Sequence, residues 1–372
     1  MKTIFFELEP WEKEFIEASS KSDLVPTSQG FEGRSTQSTT SNLPDFEFVE
    51  GILSEDTISI LTDEQKGADI ISIFVDSVIN AKVLASFPNL KMIATRSTGY
   101  DHVGIEACKA KDVAVATVPS YGEETVAEYA FALMLTLSRK IFESYDRIKE
   151  TGSFDLTGMR GFDLNGKTLG VIGTGKIGKN VIEIANGFNM KVIAYDKFPD
   201  TAYQQKMGYE YLSLDEVLAQ ADIITLHVPF LPENEHMINA ESIVKMKKGV
   251  YLINTARGAL IETDALLKAL QSGHVAGAGL DVLEEEGVIK DELNFLTRQN
   301  FAGQNLGGQA GSSQNNHNLK TVLENHVLVD MPNVVVTPHN AFNTWEALKR
   351  ILNTTLENIK AFSSGTPQNV VK

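Results

Sequence analysis

Hydrophobic residues in this chain come in short, strand-length bursts, separated by stretches whose apolar positions follow helical spacing. Residues 2–8 read as a strand and 10–19 as a short helix; 46–49, 70–75, 90–95 and 113–117 read as further strands, with helix-like stretches such as 81–87 between them. Strands that alternate with helices argue for a parallel sheet. Residues 123–148 predict one long helix, because Val126, Ala130, Leu133, Met134, Leu137 and Ile141 recur at helical spacing. A second β/α series opens at Thr168, with strands over 168–172, 191–195, 223–227, 251–254, 276–281 and 334–337. Six parallel strands with interposed helices make a complete doubly wound dinucleotide fold. The amphipathic stretch 345–359 is a helix beyond the last strand, expected to return to the first domain.

Two runs interrupt this alternation. Residues 21–45 are rich in Ser, Thr, Gly, Asn and Pro with little periodicity, and 303–318 are low in complexity and strongly polar. Both are expected to be exposed loops. The full 372 residues exceed what one core usually serves, so two domains are expected. A net charge of −16 leaves no basic patch for phosphates and argues against nucleic-acid and anionic-membrane partners. No apolar run reaches membrane-spanning length, and the apolar start is too brief for a secretory signal. Cys108 is the single cysteine, so an intrachain disulfide and a thiolate cluster are excluded, no metal site is expected, and the reducing cytoplasm is the expected location.

The segment Val171-Ile-Gly-Thr-Gly-Lys-Ile-Gly178 carries the spacing G-x-G-x-x-G. Alone that spacing is weak; here it follows a strand, opens a helix and precedes a second strand ending in Asp196. Gly173 allows the tight turn, Gly175 lets backbone approach a pyrophosphate, and Gly178 lets the helix pack on the sheet. Lys176 and Ile177 supply amides at the helix N-terminus, where the dipole favours anions. Asp196 stands where a carboxylate bonds ribose hydroxyls and repels a 2′-phosphate, which favours NAD over NADP. Lys197 beside it keeps NADP open.

Three further stretches each end a hydrophobic run: Asn254-Thr-Ala-Arg-Gly258, Asp281-Val-Leu-Glu-Glu-Glu286 and Thr337-Pro-His-Asn-Ala-Phe342. Ligands of open α/β sheets bind beyond the carboxyl ends of strands, so Arg257, Glu286 and His339 can reach one crevice. Arginine can grip a carboxylate with two parallel hydrogen bonds. An imidazole can move a proton, and a carboxylate beside it favours its protonated form. Singly, an arginine in a turn is usually solvated, a histidine usually structural and an acidic run usually a wet face. Together, behind a dinucleotide loop, they suit hydride chemistry on a 2-oxo acid.

On these motifs the chain resembles the D-2-hydroxyacid dehydrogenases, and within them the D-lactate dehydrogenase branch. The likeness runs from about residue 46 to the C-terminus, without the polar run 303–318. The resemblance implies that Arg257 of N-x-x-R-G holds the substrate carboxylate, that Glu286, which closes D-V-x-E-x-E, is the catalytic carboxylate rather than Glu284 or Glu285, and that His339 of P-H is the acid. It places Phe342 of P-H-x-A-F and Tyr121 of V-P-x-Y against the substrate, and gives the Arg96–Gly99 loop, with Thr98 and Gly99, the substrate carboxylate. It sets His227, Val228, Pro229 and Asn234 beside adenine and ribose, Thr255 and Ala256 along the cofactor, and Asp281 at the nicotinamide carboxamide. Ser97 and Thr98 depart from the branch's usual Asn and Val.

The fold so implied is α/β, with two doubly wound parallel-sheet domains: a Rossmann NAD-binding domain (123–342) inserted into a flavodoxin-like substrate domain (1–122 and 343–372). The expected function is NAD-dependent reduction of a small 2-oxo acid, pyruvate to D-lactate foremost, by a homodimer joined through its nucleotide domains. Bulkier 2-oxo acids, such as 2-oxoisocaproate or phenylpyruvate, are the alternative within enzymes. A non-catalytic NAD(H)-sensing protein of the same fold is the alternative outside them.

Overall fold

The computed structural model describes residues 1–21, 44–286 and 313–371. The chain divides into two units, Met1–Gly122 with Thr344–Lys372, and Glu123–Asn343. The first holds five parallel strands, β1 (Lys2–Phe5), β2 (Asp45–Phe48), β3 (Ile70–Ile73), β4 (Met92–Thr95) and β5 (Ala114–Ala116), in the order β2-β1-β3-β4-β5. That is the flavodoxin-like order. β3 and β4 are buried at every position, as strands covered on both faces must be, which is why their sequences are near-continuous apolar runs without alternation. The helix Trp345–Ser363 lays Leu352, Leu356 and Ile359 against Phe5, Met92 and Ala116. Beyond it Val370 pairs antiparallel with Ala116.

Arg96, at the end of β4, is fully buried. Its guanidinium donates to the carbonyls of Phe6 (2.9 Å) and Glu7 (2.5 Å) and to Ser72 Oγ (3.3 Å), tying three strand ends together. The carboxylates of Glu12 and Glu7 balance its charge.

The second unit holds seven parallel strands: β6 (Thr168–Ile172), β7 (Lys191–Tyr195), β8 (Glu210–Tyr211), β9 (Ile223–Leu226), β10 (Val250–Asn254), β11 (Val275–Leu280) and β12 (Val334–Val336). Their order, β12-β11-β10-β9-β6-β7-β8, is the doubly wound dinucleotide order, with the direction of winding reversing between β6 and β9. Two cores cover the two faces of this sheet, one around Leu252, Ala278 and Leu266, the other around Val171, Ile182 and Phe131.

Three expectations need correction. The helix expected over 123–148 is two helices, Glu123–Arg139 and Ile141–Thr151, because Lys140 adopts left-handed φ 51°. The cause is tertiary: the returning chain at Phe162 donates its amide to the Ser138 carbonyl (2.9 Å), which would otherwise serve the next helical turn. β8 adds a strand too short to leave a period in the sequence. The polar run 303–318 turns helical from Ser313, in the helix Ser313–Asp330, which is anchored by buried Val322 and Leu328 and extends back from them. The remainder of that run, and 22–43 of the earlier one, lie outside the described residues.

Arg96→Leu should destabilise the first unit by about 3 kcal/mol, since the buried Glu12 carboxylate would lose its counter-charge. An earlier urea transition for that unit is the expected reading.

Candidate active site

Where the second sheet reverses its winding, the ends of β6 and β9 meet. Gly173 follows β6 with φ +96°, and a Cβ on it would lie 2.6 Å from the His227 carbonyl oxygen and 2.8 Å from Val228 Cγ1. Only glycine permits both the turn and this approach. Gly175 caps the helix Lys176–Gly187 without a side-chain hydrogen bond, and a Cβ there would meet nothing within 4 Å. The first-turn amides of Lys176 and Ile177 follow this open position at the helix N-terminus, where an incoming pyrophosphate would sit. Gly178 packs against the sheet as expected, where a Cβ would lie 3.6 Å from Val171 Cγ1 of β6, and more tightly still against the loop, 2.0 Å from the Gly173 carbonyl oxygen. Helix and loop are thus pressed together inside the motif itself.

Asp196 directly follows β7 and opens the turn after it. Its Oδ2 accepts from the Thr174 amide (2.6 Å) and Thr174 Oγ1 (2.9 Å), and its Oδ1 from the Phe198 amide (2.8 Å). Oδ1 keeps the capacity for a further donor, such as a ribose hydroxyl. Sequence reasoning missed the support behind it. Thr174 Oγ1 spends its proton on Asp196, so the Tyr211 hydroxyl must donate to Thr174 (2.7 Å), and Tyr209 in turn donates to Tyr211 (2.8 Å). An aromatic pair two residues apart in a short strand offers no signal for this. Lys197 is ion-paired with Glu233 (2.7 Å).

The His227 ring nitrogen Nε2 shares a 2.8 Å hydrogen bond with Thr225 Oγ1, and desolvation pushes its pKa well below the ordinary imidazole value, so it stays neutral. Asn234 closes its own loop, accepting from the Leu231 amide (2.7 Å) and donating to the Pro229 carbonyl (2.8 Å). Thr255 is buried, and its hydroxyl has no hydrogen-bond partner among the described residues.

The three chemical side chains stand at the ends of the adjacent strands β10, β11 and β12. Buried Asn254 donates to the Arg257 carbonyl (2.9 Å) and accepts from the Ala256 amide (3.0 Å), so the first letter of N-x-x-R-G shapes the turn that presents Arg257. The guanidinium itself donates to the Ala256 carbonyl (2.8 Å). Glu286 and His339, 53 residues apart in sequence, meet: His339 Nδ1 lies 2.8 Å from Glu286 Oε1. A carboxylate only accepts, so Nδ1 carries hydrogen and Nε2 is the nitrogen left to face a substrate. The Phe342 ring stands edge-on to the imidazole, with centroids 6.4 Å apart.

Asp281 is buried and its carboxylate is committed within the chain. Oδ1 accepts from Thr337 Oγ1 (2.6 Å) and the Asn340 amide (2.8 Å), and Oδ2 from the Ala341 amide (2.8 Å). Burial raises its pKa, and these donors oppose the rise. Its geometry holds the turn that bears His339, a job beyond the carboxamide contact expected for it. In the first unit, Thr98 Oγ1 donates to the Val118 carbonyl (2.6 Å), Ser97 Oγ to the Gly99 carbonyl (2.6 Å), and Arg350 Nε to the Tyr121 carbonyl.

Comparison with known proteins points to one family. The profile of the family described as "D-isomer specific 2-hydroxyacid dehydrogenase, NAD binding domain" matches residues 131–341. A "2-hydroxyacid dehydrogenase homolog" of Zymomonas mobilis is 38% identical over 327 residues, covering 86% of this chain and 90% of that one. An "Aromatic 2-oxoacid reductase" of Clostridium sporogenes is 41% identical over 310 residues, covering 82% and 86%. The solved structure of D-lactate dehydrogenase from Aquifex aeolicus, complexed with NAD and lactic acid, superposes with TM-score 0.75 at 34% identity, covering 98% of this chain and 96% of that one.

Gly178→Ala would set a methyl 2.0 Å from the Gly173 carbonyl oxygen and force the loop open. NADH affinity, read by fluorescence titration, should fall by about tenfold or more while the far-ultraviolet circular dichroism is retained.

Proposed function

The chain belongs to the D-isomer specific 2-hydroxyacid dehydrogenase family, and from that premise we propose that this NAD-dependent oxidoreductase reduces pyruvate to D-lactate. The observation that carries the chemistry is the 2.8 Å contact between Glu286 and His339, at strand ends next to the one that bears Arg257. NADH, when bound at the glycine loop, would supply the hydride. Arg257 clamps the substrate carboxylate and polarises the neighbouring carbonyl. His339 gives its Nε2 proton to the developing alkoxide, and Glu286, accepting from Nδ1, steadies the ring and its charge. Neutral His227 is unsuited to that role. Asp196 receives the ribose hydroxyls, and Glu233 keeps Lys197 engaged, so NAD is preferred over NADP. A relative from Curvularia clavata and solved structures from Escherichia coli and Aquifex aeolicus are D-lactate dehydrogenases, which supports the small substrate.

A bulkier 2-oxo acid is the second reading, favoured by the 41% identity to an aromatic 2-oxoacid reductase. Tyr121 and Phe342 suit either, since an aromatic ring can close a small pocket or stack on a large side chain. Initial rates of NADH oxidation over 2-oxo acids of rising side-chain size separate the two. Pyruvate is expected to give the highest kcat/KM, and a maximum at phenylpyruvate selects the second reading. His339→Ala should lower kcat by about a thousandfold while leaving NADH binding intact; near-normal turnover would remove the assigned acid.

The protein is further proposed to be a cytoplasmic homodimer. Among the described residues no helix is long and apolar enough to cross a membrane. The helix Ile141–Thr151 buries none of its residues, and Ile141, Tyr145 and Ile148 form an exposed stripe, followed by Phe154 and Leu156, each 81% exposed. An apolar surface of this kind fits a second copy of the second unit. Sedimentation at micromolar concentration should give a dimer, and Phe154→Asp with Leu156→Asp should shift it towards monomer.

A further inference from the structure

Building on that reading of the site, we infer that His236 and Glu284 form a clasp that sets the turns bearing Arg257 and Glu286 against each other. They are positioning residues for the reduction. The two turns are in backbone contact. A Cβ on Gly258, next to Arg257, would lie 2.0 Å from the carbonyl carbon and oxygen of Leu283 and 2.4 Å from the Glu284 nitrogen. Contact this close has no side-chain cushion, so something must hold the register.

Glu284 holds it from one side. Its Oε1 accepts from His236 Nε2 (2.5 Å), and its Oε2 from the Thr263 amide (3.0 Å) and Thr263 Oγ1 (2.6 Å). Thr263 starts the helix Thr263–Gln271, whose N-cap Glu262 makes no side-chain cap, so the Glu284 carboxylate caps that helix from outside. Its backbone carbonyl accepts from Asn325 Nδ2 (2.7 Å), and the Asn325 side chain is fully buried. The Glu284 side chain is only 16% exposed, so its bonds are far less screened than those of a surface pair.

His236 holds from the other side. Its amide donates to the Ala259 carbonyl (2.9 Å), two residues past Arg257, and the Ile238 amide donates to the Leu260 carbonyl (3.0 Å). His236 sits at φ +50°, in the left-handed region that a non-glycine residue occupies only when its surroundings hold it there. The imidazole therefore reaches Glu284 from a segment already stitched to the arginine turn. Between Glu284 and Glu286 stands only Glu285, itself at φ +54°. In so tight a turn a displacement of residue 284 is passed to the carboxylate that meets His339. A misplacement of about 1 Å can cost on the order of a hundredfold in rate.

The test compares wild type, Glu284→Ala, His236→Ala, the double variant and Glu284→Gln. The readouts are kcat and KM for the best 2-oxo acid of the panel, NADH affinity by fluorescence, and hydrogen exchange of the amides at 257–262 and 283–286. Each alanine variant should lose about tenfold or more in kcat with NADH affinity within about twofold. The double variant should be no worse than the worse single one, because the two residues act as one unit. Glutamine, which still accepts from Thr263, should recover most of the loss. Exchange should quicken at both turns together. Unchanged kcat in both alanine variants overturns the inference, as does an equal loss of kcat and NADH affinity with additive effects. If wild type reduces no 2-oxo acid, the functional reading fails instead, and exchange alone decides the clasp: quickening at one turn only, or at neither, refutes it.

Discussion

The site of the second unit depends on one buried carboxylate, that of Asp281. Its amide donates to Asn254 at the end of β10 (2.9 Å), its carbonyl accepts from His339 beyond β12 (2.8 Å), and its side chain takes three donors from 337–341. One residue thereby fastens three neighbouring strand ends. His339 sits at φ +53°, a conformation that costs a non-glycine residue on the order of 1 kcal/mol or more. A buried carboxylate that demands donors is what makes the turn hold that shape, since leaving it unsatisfied would cost more.

Close backbone approach is the second organising constraint, and it falls at glycines inside the motifs. Gly173 lets the end of β6 touch the end of β9, Gly178 lets the helix touch its own loop, and Gly258 lets the arginine turn touch the acidic turn. These contacts define where an anion, a carboxylate and a proton can be handled within one unit. A methyl group at any of them would push apart pieces that have to act together.

Electrostatics then sorts similar groups into different roles. His227 loses its charge to desolvation and serves beside the nucleotide loop. His236 and Glu284 satisfy each other, with Thr263, in a half-buried knot. His339 and Glu286 pair as well but remain partly exposed, with side chains 28% and 36% accessible, as the proposed proton transfer to a substrate requires. In the proposed reading, the two His–Glu pairs on one acidic run divide into a fastening and a reactive one.

Much of this was legible in the chain. Continuous apolar runs mark strands covered on both faces, and G-x-G-x-x-G between a strand and a helix marks a phosphate-binding loop, because both follow from local geometry and short-range sterics. The placing of Arg257, Glu286 and His339 at strand ends was legible for the same reason. What lay beyond reach arises between residues distant in sequence. The break at Lys140 exists because Phe162 takes the Ser138 carbonyl. The engagement of Asp281 by 337–341, the hydroxyl relay from Tyr209 to Asp196, and the partnering of His236 with Glu284 rather than Glu286 are likewise choices among several nearby donors and acceptors. Sequence determines which groups are offered and on which element; packing alone decides which of them come within 3 Å, because hydrogen bonding falls off over distances far shorter than the span of chain between the partners.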